Sequence, residues 1–285
     1  MRVTLLGTGT AVPNGDRHQS GALVDSADRS RRLLVDCGSG VVHRLAEAGV
    51  GPAAVDAVAL THTHLDHVAD LPSLVKARVL AGEPDLTVHG PRGTVEALDH
   101  LLAVDDLHER ANVTVCEVAP GTFEAAGFSV TAREADHSTP TLGYRVEDAA
   151  APNGGTDAGT AAADGGEYAD AVTFSGDTAA SAAIADLADG SAVLVHDCAP
   201  PDGGDARTHS DDGAESNGAD GADHATPSEL AGVLAGRDIE TVYLTHLGPE
   251  TRGKEGAMTA TIEGRFPGEV RIANDLTTLE VGDEV

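Results

Sequence analysis

Val55-Asp56-Ala57-Val58-Ala59-Leu60-Thr61-His62-Thr63-His64-Leu65-Asp66-His67 runs from an apolar segment straight into four side chains of the kind that bind metal ions. A short apolar run that ends in polar residues reads as a buried strand, here delivering Thr61 and His62 at its C-terminal end. Imidazole and carboxylate suit Zn2+, and the same donors accept Mn2+ or Fe2+. In an extended loop alternate side chains point the same way, so His62 and His64 address one ion. Asp66 and His67 lie beyond them and reach a second. A surface histidine tract is the competing explanation, but the chain has only 13 histidines, and a tract of that kind has no reason to follow a buried strand.

Working outward, strands are predicted at 2–6, 20–24 and 32–35, then a helix over 40–49 with Val41, Val42, Leu45 and Ala48 on one face. After the strand at 55–60 come helices over 69–81 and 92–103, separated by a strand at 86–88. Strands near 113–118, 127–133 and 142–146 follow. A second half begins with a strand at 172–174. It continues with a helix over 179–187, a strand at 193–195, a helix over 227–235, a strand at 241–244 and a strand pair near 270–281. The stretches 147–171 and 201–223 consist largely of Ala, Gly, Asp, Ser and Thr, with too little apolar surface to pack. They are expected to be solvated, mobile insertions within one domain spanning 1–285.

The formal net charge is −29, from 47 acidic and 18 basic residues, and only Lys76 and Lys254 are lysines. Such a surface repels itself unless salt screens it, which points to a halophilic protein. No apolar stretch approaches the ~18 residues of a membrane span, and the N-terminal apolar run is too short for a signal peptide. Cys37, Cys116 and Cys198 form no CxxC pair, so a reducing, cytoplasmic setting without disulfides is expected. Aromatic residues make up 2% with no Trp, against stacking platforms for single-stranded nucleic acid. Gly7-Thr8-Gly9 is not a dinucleotide fingerprint, because Val12 stands where the third glycine is needed and Pro13 follows.

The run His62-Thr-His64-Leu-Asp66-His67 matches the H-x-H-x-D-H signature, and the chain resembles the metallo-β-lactamase superfamily. His137 in Ala135-Asp-His-Ser-Thr-Pro-Thr-Leu-Gly-Tyr-Arg145, Asp177 in Phe174-Ser-Gly-Asp-Thr178 and His246 in Tyr243-Leu-Thr-His-Leu247 stand in that family's order. The resemblance implies an α/β fold, a four-layer αββα sandwich of two βα halves with the site between their strand ends. It also implies two zinc ions: one on His62, His64 and His137, the other on Asp66, His67 and His246, with Asp177 bridging. The run from His137 to Arg145, the N-terminal Leu5-Leu-Gly-Thr-Gly-Thr-Ala-Val-Pro13 with Arg17 and Ser20, His224-Ala-Thr226, and Ala273-Asn-Asp-Leu276 resemble the ribonuclease Z-like branch. The His-Thr-Pro-Gly-His run of glyoxalase II-like members is absent, and His64 stands where flavodiiron oxidoreductases carry Glu.

In that branch two zinc ions make hydroxide available near neutral pH, Asp66 both ligates and holds the water's proton, and His224 protonates the leaving alkoxide. A zinc-dependent phosphodiesterase is thus implied. Arg145 either pairs with a phosphate or makes a surface ion pair; Thr226 either orients His224 or contacts substrate, or else caps the helix before Pro227; Asp36 either orients a ligand histidine or shapes a turn. Ribonuclease Z enzymes carry a basic, Gly/Pro-rich arm that grips transfer RNA, whereas 147–171 contains no Lys or Arg. With the charge, this ranks a small phosphodiester above nucleic acid as substrate, and a transfer-RNA 3′ endonuclease second. A lactone or thioester hydrolase and a metal-retaining binding scaffold are the remaining alternatives. No membrane partner is expected, and a homodimer is compatible with the sequence.

Overall fold

The computed structural model describes residues 1–149, 168–203 and 223–282. The first half of the chain supplies β1 (Arg2–Gly7), β2 (Gly21–Asp25), β3 (Arg32–Val35), β4 (Ala57–Ala59), β5 (Asp85–Gly90) and β6 (Asn112–Glu117). Then follow β7 (Gly121–Ala125), β8 (Phe128–Glu134), β9 (Leu142–Asp148), β10 (Ala169–Phe174), β11 (Ser191–Asp197), β12 (Thr241–Thr245), β13 (Glu269–Ile272) and β14 (Thr277–Glu280). They form two seven-stranded sheets, ordered β14-β1-β2-β3-β4-β5-β6 and β13-β12-β11-β10-β9-β8-β7. In each sheet an antiparallel part leads into parallel strands, β3 to β6 in the first and β10 to β13 in the second.

Helices α1 (Val41–Glu47), α2 (Leu65–Val68), α3 (Leu71–Ala81), α4 (Thr94–Leu102) and α5 (Leu107–Arg110) belong to the first half. Helices α6 (Ala182–Ala188), α7 (Pro227–Leu234) and α8 (Glu255–Glu263) belong to the second. The strands show why four layers form. Along β3, Leu33 and Val35 enter the core between the sheets, while Leu34 enters the core under α1 and α3; β4 repeats this with Ala57 and Ala59 against Val58. On β11, Val193 and Val195 face the other sheet and Leu194 faces α7 and α8. Strands apolar on both faces are driven to the middle of a helix–sheet–sheet–helix stack, since each face removes apolar surface from water. The structure is the αββα sandwich expected.

Differences from the expected elements have local causes. β7 was not foreseen: its Thr122 and Glu124 are exposed and only Ala125 is fully buried, so its alternation is faint. Helix α8 was missed because Gly256, Thr259 and Thr261 dilute its helical propensity, while Met258 and Ile262, four apart, supply its buried face. Strand β9 runs on to Asp148 and β10 begins at Ala169, so the ends of the predicted insertion 147–171 belong to the second sheet. Of the predicted insertions, 150–167 and 204–222 lie outside the described residues.

The basic groups are heavily committed. Arg2 and Arg32 both pair with the buried Asp25, Arg31 with Asp148, Arg44 with Glu47 and Asp275, and Lys76 and Arg110 with Asp105. With 18 basic against 47 acidic residues, there are too few cations to give one to each of the acids. At molar salt the Debye length falls to ~3 Å and their mutual repulsion fades. The melting temperature is therefore expected to rise steadily with potassium chloride from low to multimolar concentration. Thermal melts across that series check it, and a flat or falling curve contradicts the halophilic assignment.

Candidate metal centre

Parallel strands converge at one edge of the sandwich, and the segments that leave their C-terminal ends carry the polar residues of the site. Asp36 follows β3, Thr61 and His62 follow β4, Asp177 follows β10, Asp197 ends β11 and His246 follows β12. His137 comes from the connection between β8 and β9, and His224 immediately precedes α7.

The H-x-H-x-D-H run is not extended throughout. After His64 the chain enters the single helical turn α2, which swings Asp66 and His67 away from His62 and His64. The turn is fastened to the loop after β3: the Cys37 amide donates to the His67 carbonyl, and the Asp70 amide to the Cys37 carbonyl. The approach is so close that a Cβ on Gly38 would lie 1.9 Å from the Asp66 carbonyl oxygen, so only glycine fits there.

Two groups of donors result. His62, His64 and His137 form one, and Asp66, His67, Asp177 and His246 form the other; within each, one donor atom per residue lies within 4.8 Å of every other. All seven residues named from the sequence are brought together. His64 Nδ1 and His137 Nε2 are 3.2 Å apart. Asp177 Oδ2 is 3.3 Å from His67 Nε2, 3.2 Å from His246 Nε2 and 3.9 Å from His62 Nε2. Asp66 Oδ2 is 3.1 Å from His246 Nε2. Two donors of a tetrahedral ion with bonds of ~2.0–2.1 Å stand about 3.3 Å apart, so these spacings fit a divalent ion in each group. Asp177, within 4 Å of donors in both groups, lies between them.

The outward ring nitrogens support the same fit. His67 Nδ1 donates to Asp36 Oδ2 at 2.8 Å. His62 Nδ1 donates to Thr61 Oγ1 at 3.1 Å, which in turn donates to Asp36 Oδ2 at 2.9 Å. His137 Nδ1 donates to the Asp223 carbonyl at 3.1 Å, so one end of the predicted insertion 201–223 is tied to the site. Each bond places the proton on Nδ1 and turns Nε2 inward. Nε2 of His62 and of His67 is buried without a hydrogen-bond partner among the described residues, which is costly unless an ion takes the lone pair. Burial alone would push the Asp177 carboxyl up, but His246 and His67 outweigh it and hold it well below the usual carboxylate range. Burial pulls His67 down, and Asp177, Asp36 and Asp66 more than reverse this, so the pocket is built to hold positive charge.

Asp36 turns out to do both things open from the sequence: it adopts φ 58°, shaping the turn, and it orients His67 while also accepting from the Thr61 amide. Thr226 caps α7, exchanging hydrogen bonds with Glu229. Arg145 is not at the metal centre; its guanidinium binds the carbonyls of Leu187 and Asp189, Ser191 Oγ and Glu147.

His224 lies beside both groups, its ring 5.0 Å from that of His246 and 5.6 Å from that of His137. Its partner was missed in the sequence. Asp197 Oδ2 accepts from His224 Nδ1 at 2.7 Å, and the same carboxylate accepts from the amides of Thr178 and Ala199. Burial lowers the His224 pKa, but Asp197, with Asp177 and Asp223 behind it, pushes it up to about 9. An acid at the C-terminal end of an apolar strand, as in Val195-His196-Asp197, was the available signal.

A family described as beta-lactamase superfamily domain matches residues 31–247. Ribonuclease Z of Mycobacterium marinum is 32% identical over 301 aligned residues, covering 99% of each chain. Among solved structures, the metallo-beta-lactamase fold protein YhfI from Bacillus subtilis superposes with a TM-score of 0.76 at 22% identity, covering 98% of each chain. The short form of human tRNase Z gives 0.71 at 20% identity, covering 99% of this chain and 100% of that one.

Proposed function

The chain belongs to the metallo-β-lactamase superfamily, in its ribonuclease Z-like branch, and from that premise we propose that it is a zinc-dependent phosphodiesterase with His224 as proton donor. The observation that carries this is the pair of donor groups with Asp177 between them, flanked by His224, which lies outside both groups and is bound through Nδ1 to Asp197. His62, His64 and His137 would hold one ion, Asp66, His67 and His246 the other, and Asp177 would bridge them. When bound, such ions supply a nucleophilic water at neutral pH and neutralise charge on the phosphoryl oxygens; Mn2+ or Fe2+ would do the same.

The protein's own groups supply the rest. Asp66, 97% buried, offers a carboxylate oxygen at the centre that can hold the attacking water's proton. Asp197 accepts from His224 Nδ1 and favours its charged form, the form that would give a proton to the departing alkoxide. The Asp36–Thr61–His62 and Asp36–His67 bonds hold the rings in the tautomer that leaves Nε2 free.

Two substrate classes have support. Full-length similarity to a protein named Ribonuclease Z favours an RNA phosphodiester at least as well as a small ester. The net charge of −29, and the absence of Lys and Arg from 147–171, favour the small ester. Assays on bis(p-nitrophenyl) phosphate and on precursor transfer RNA, both in high salt, separate them. Hydrolysis of the small ester is expected in either case. Accurate 3′ cleavage of precursor transfer RNA at a comparable rate selects the RNA reading, and its absence selects the small substrate. A protein that hydrolyses neither, but cleaves a lactone or thioester, refutes the proposal.

A further inference from the structure

We propose that the Tyr144 hydroxyl is a positioning group for the first metal pocket, tying the strand end that presents His62 to the sheet that presents His137. The inference rests on the proposed assignment of His62, His64 and His137 as ligands. Tyr144 stands on β9 in the second sheet, fully buried in the core between the sheets. Its hydroxyl crosses that core and donates to the Leu60 carbonyl at 2.7 Å, two residues before His62 on the first sheet's side. A buried phenol needs an acceptor, and a strand-end carbonyl in an apolar interior needs a donor; each meets the other's requirement. The Phe123 ring, 6.0 Å away and at 78° to it, packs against the tyrosine ring.

A second bond lies beside the first. The Leu142 amide, at the start of β9, donates to the Thr61 carbonyl at 2.9 Å. Two consecutive carbonyls at the root of the His62 loop are therefore held by one strand of the opposite sheet. From the other side, Asp36 holds the Thr61 amide and hydroxyl. Followed back from Leu142, β9 leads through 138–141 to His137. The 5.0 Å between the His62 and His137 rings is thus set by how the two sheets are placed against each other. Apolar contact between sheets is non-directional, whereas a hydrogen bond tolerates little change in distance or angle. Of the two bonds, that of Tyr144 is made by a side chain and can be removed by substitution.

Tyr144→Phe deletes the hydroxyl and keeps the ring. Zinc affinity, measured by competition with a chromogenic chelator well below the melting temperature, is expected to fall by about tenfold, the lower end for groups that orient ligands from outside. A thermal melt of the metal-free variant, run in parallel, reports folding; if the variant does not fold, Tyr144→Met repeats the measurement. A folded variant that melts earlier but binds zinc like the parent has lost only stability, and that result overturns the inference. His62→Ala is the reference. If it too binds zinc unchanged, the ligand assignment has failed; if it loses zinc while Tyr144→Phe does not, only the positioning role has.

Discussion

His62→Ala combined with His64→Ala is expected to remove about one bound metal ion per chain and to slow hydrolysis by roughly a thousandfold or more. The size follows from what the pocket contributes: stabilising charge on a phosphoryl oxygen is worth several kcal/mol, and each ~1.4 kcal/mol is a factor of ten in rate. Both histidines point into the same group of donors as His137, so losing them leaves one imidazole and a distant carboxylate, too few to hold an ion. Asp66, His67, Asp177 and His246 are untouched and should retain the other. Plasma emission spectrometry on the purified double variant reads the metal directly, with circular dichroism confirming that the chain still folds. His62 is fully buried beside His67 and Asp177, so some loss of stability accompanies the change. Unchanged metal content in a folded variant would remove the basis of the assignment.

How much of this centre was legible in the sequence depended on whether a residue's role was written locally. The strand before His62 showed itself because β4 is apolar on both faces and its apolar run stops after Leu60. The two-way split of His62-Thr-His64-Leu-Asp66-His67 was legible only in outline. Alternation in an extended loop explains why His62 and His64 act together, but a helical turn, not further alternation, carries Asp66 and His67 elsewhere. That turn depends on Cys37 and Asp70, contacts that local pattern does not reveal. Asp197 and Tyr144 had their partners hidden for the same reason. Each acts across a long sequence separation, on His224 and on the Leu60 carbonyl, and in the sequence they are only an acid and an aromatic at strand positions. Arg145 shows the reverse case: an arginine near a ligand motif invited a phosphate, but it lies on a strand whose side chains alternate in direction. Its partners are the carbonyls of Leu187 and Asp189 at the end of α6, away from the ions' pockets.

His224→Ala is expected to keep both metal ions and to slow esters of aliphatic alcohols by roughly a hundredfold or more, the usual range for a lost general acid. An alkoxide leaves only with a proton, whereas p-nitrophenolate departs unaided, so nitrophenyl esters should be slowed far less. The proposed role rests on where the residue sits. Its Nδ1 is bound to Asp197 at 2.7 Å, and the ring sits beside those of His137 and His246. Asp197→Asn should reproduce the same selectivity more weakly, because the amide still accepts a hydrogen bond from Nδ1 but no longer holds the imidazole charged. Comparing rates for the two leaving-group types in both variants, with metal content measured alongside, tests the role. Equal slowing of both esters would place His224 in binding or support of the site, not in proton donation. Loss of an ion from His224→Ala would make it a ligand, in line with the third cluster of donors formed by Asp197, His224 and His246, and would require the second pocket to be redrawn around it.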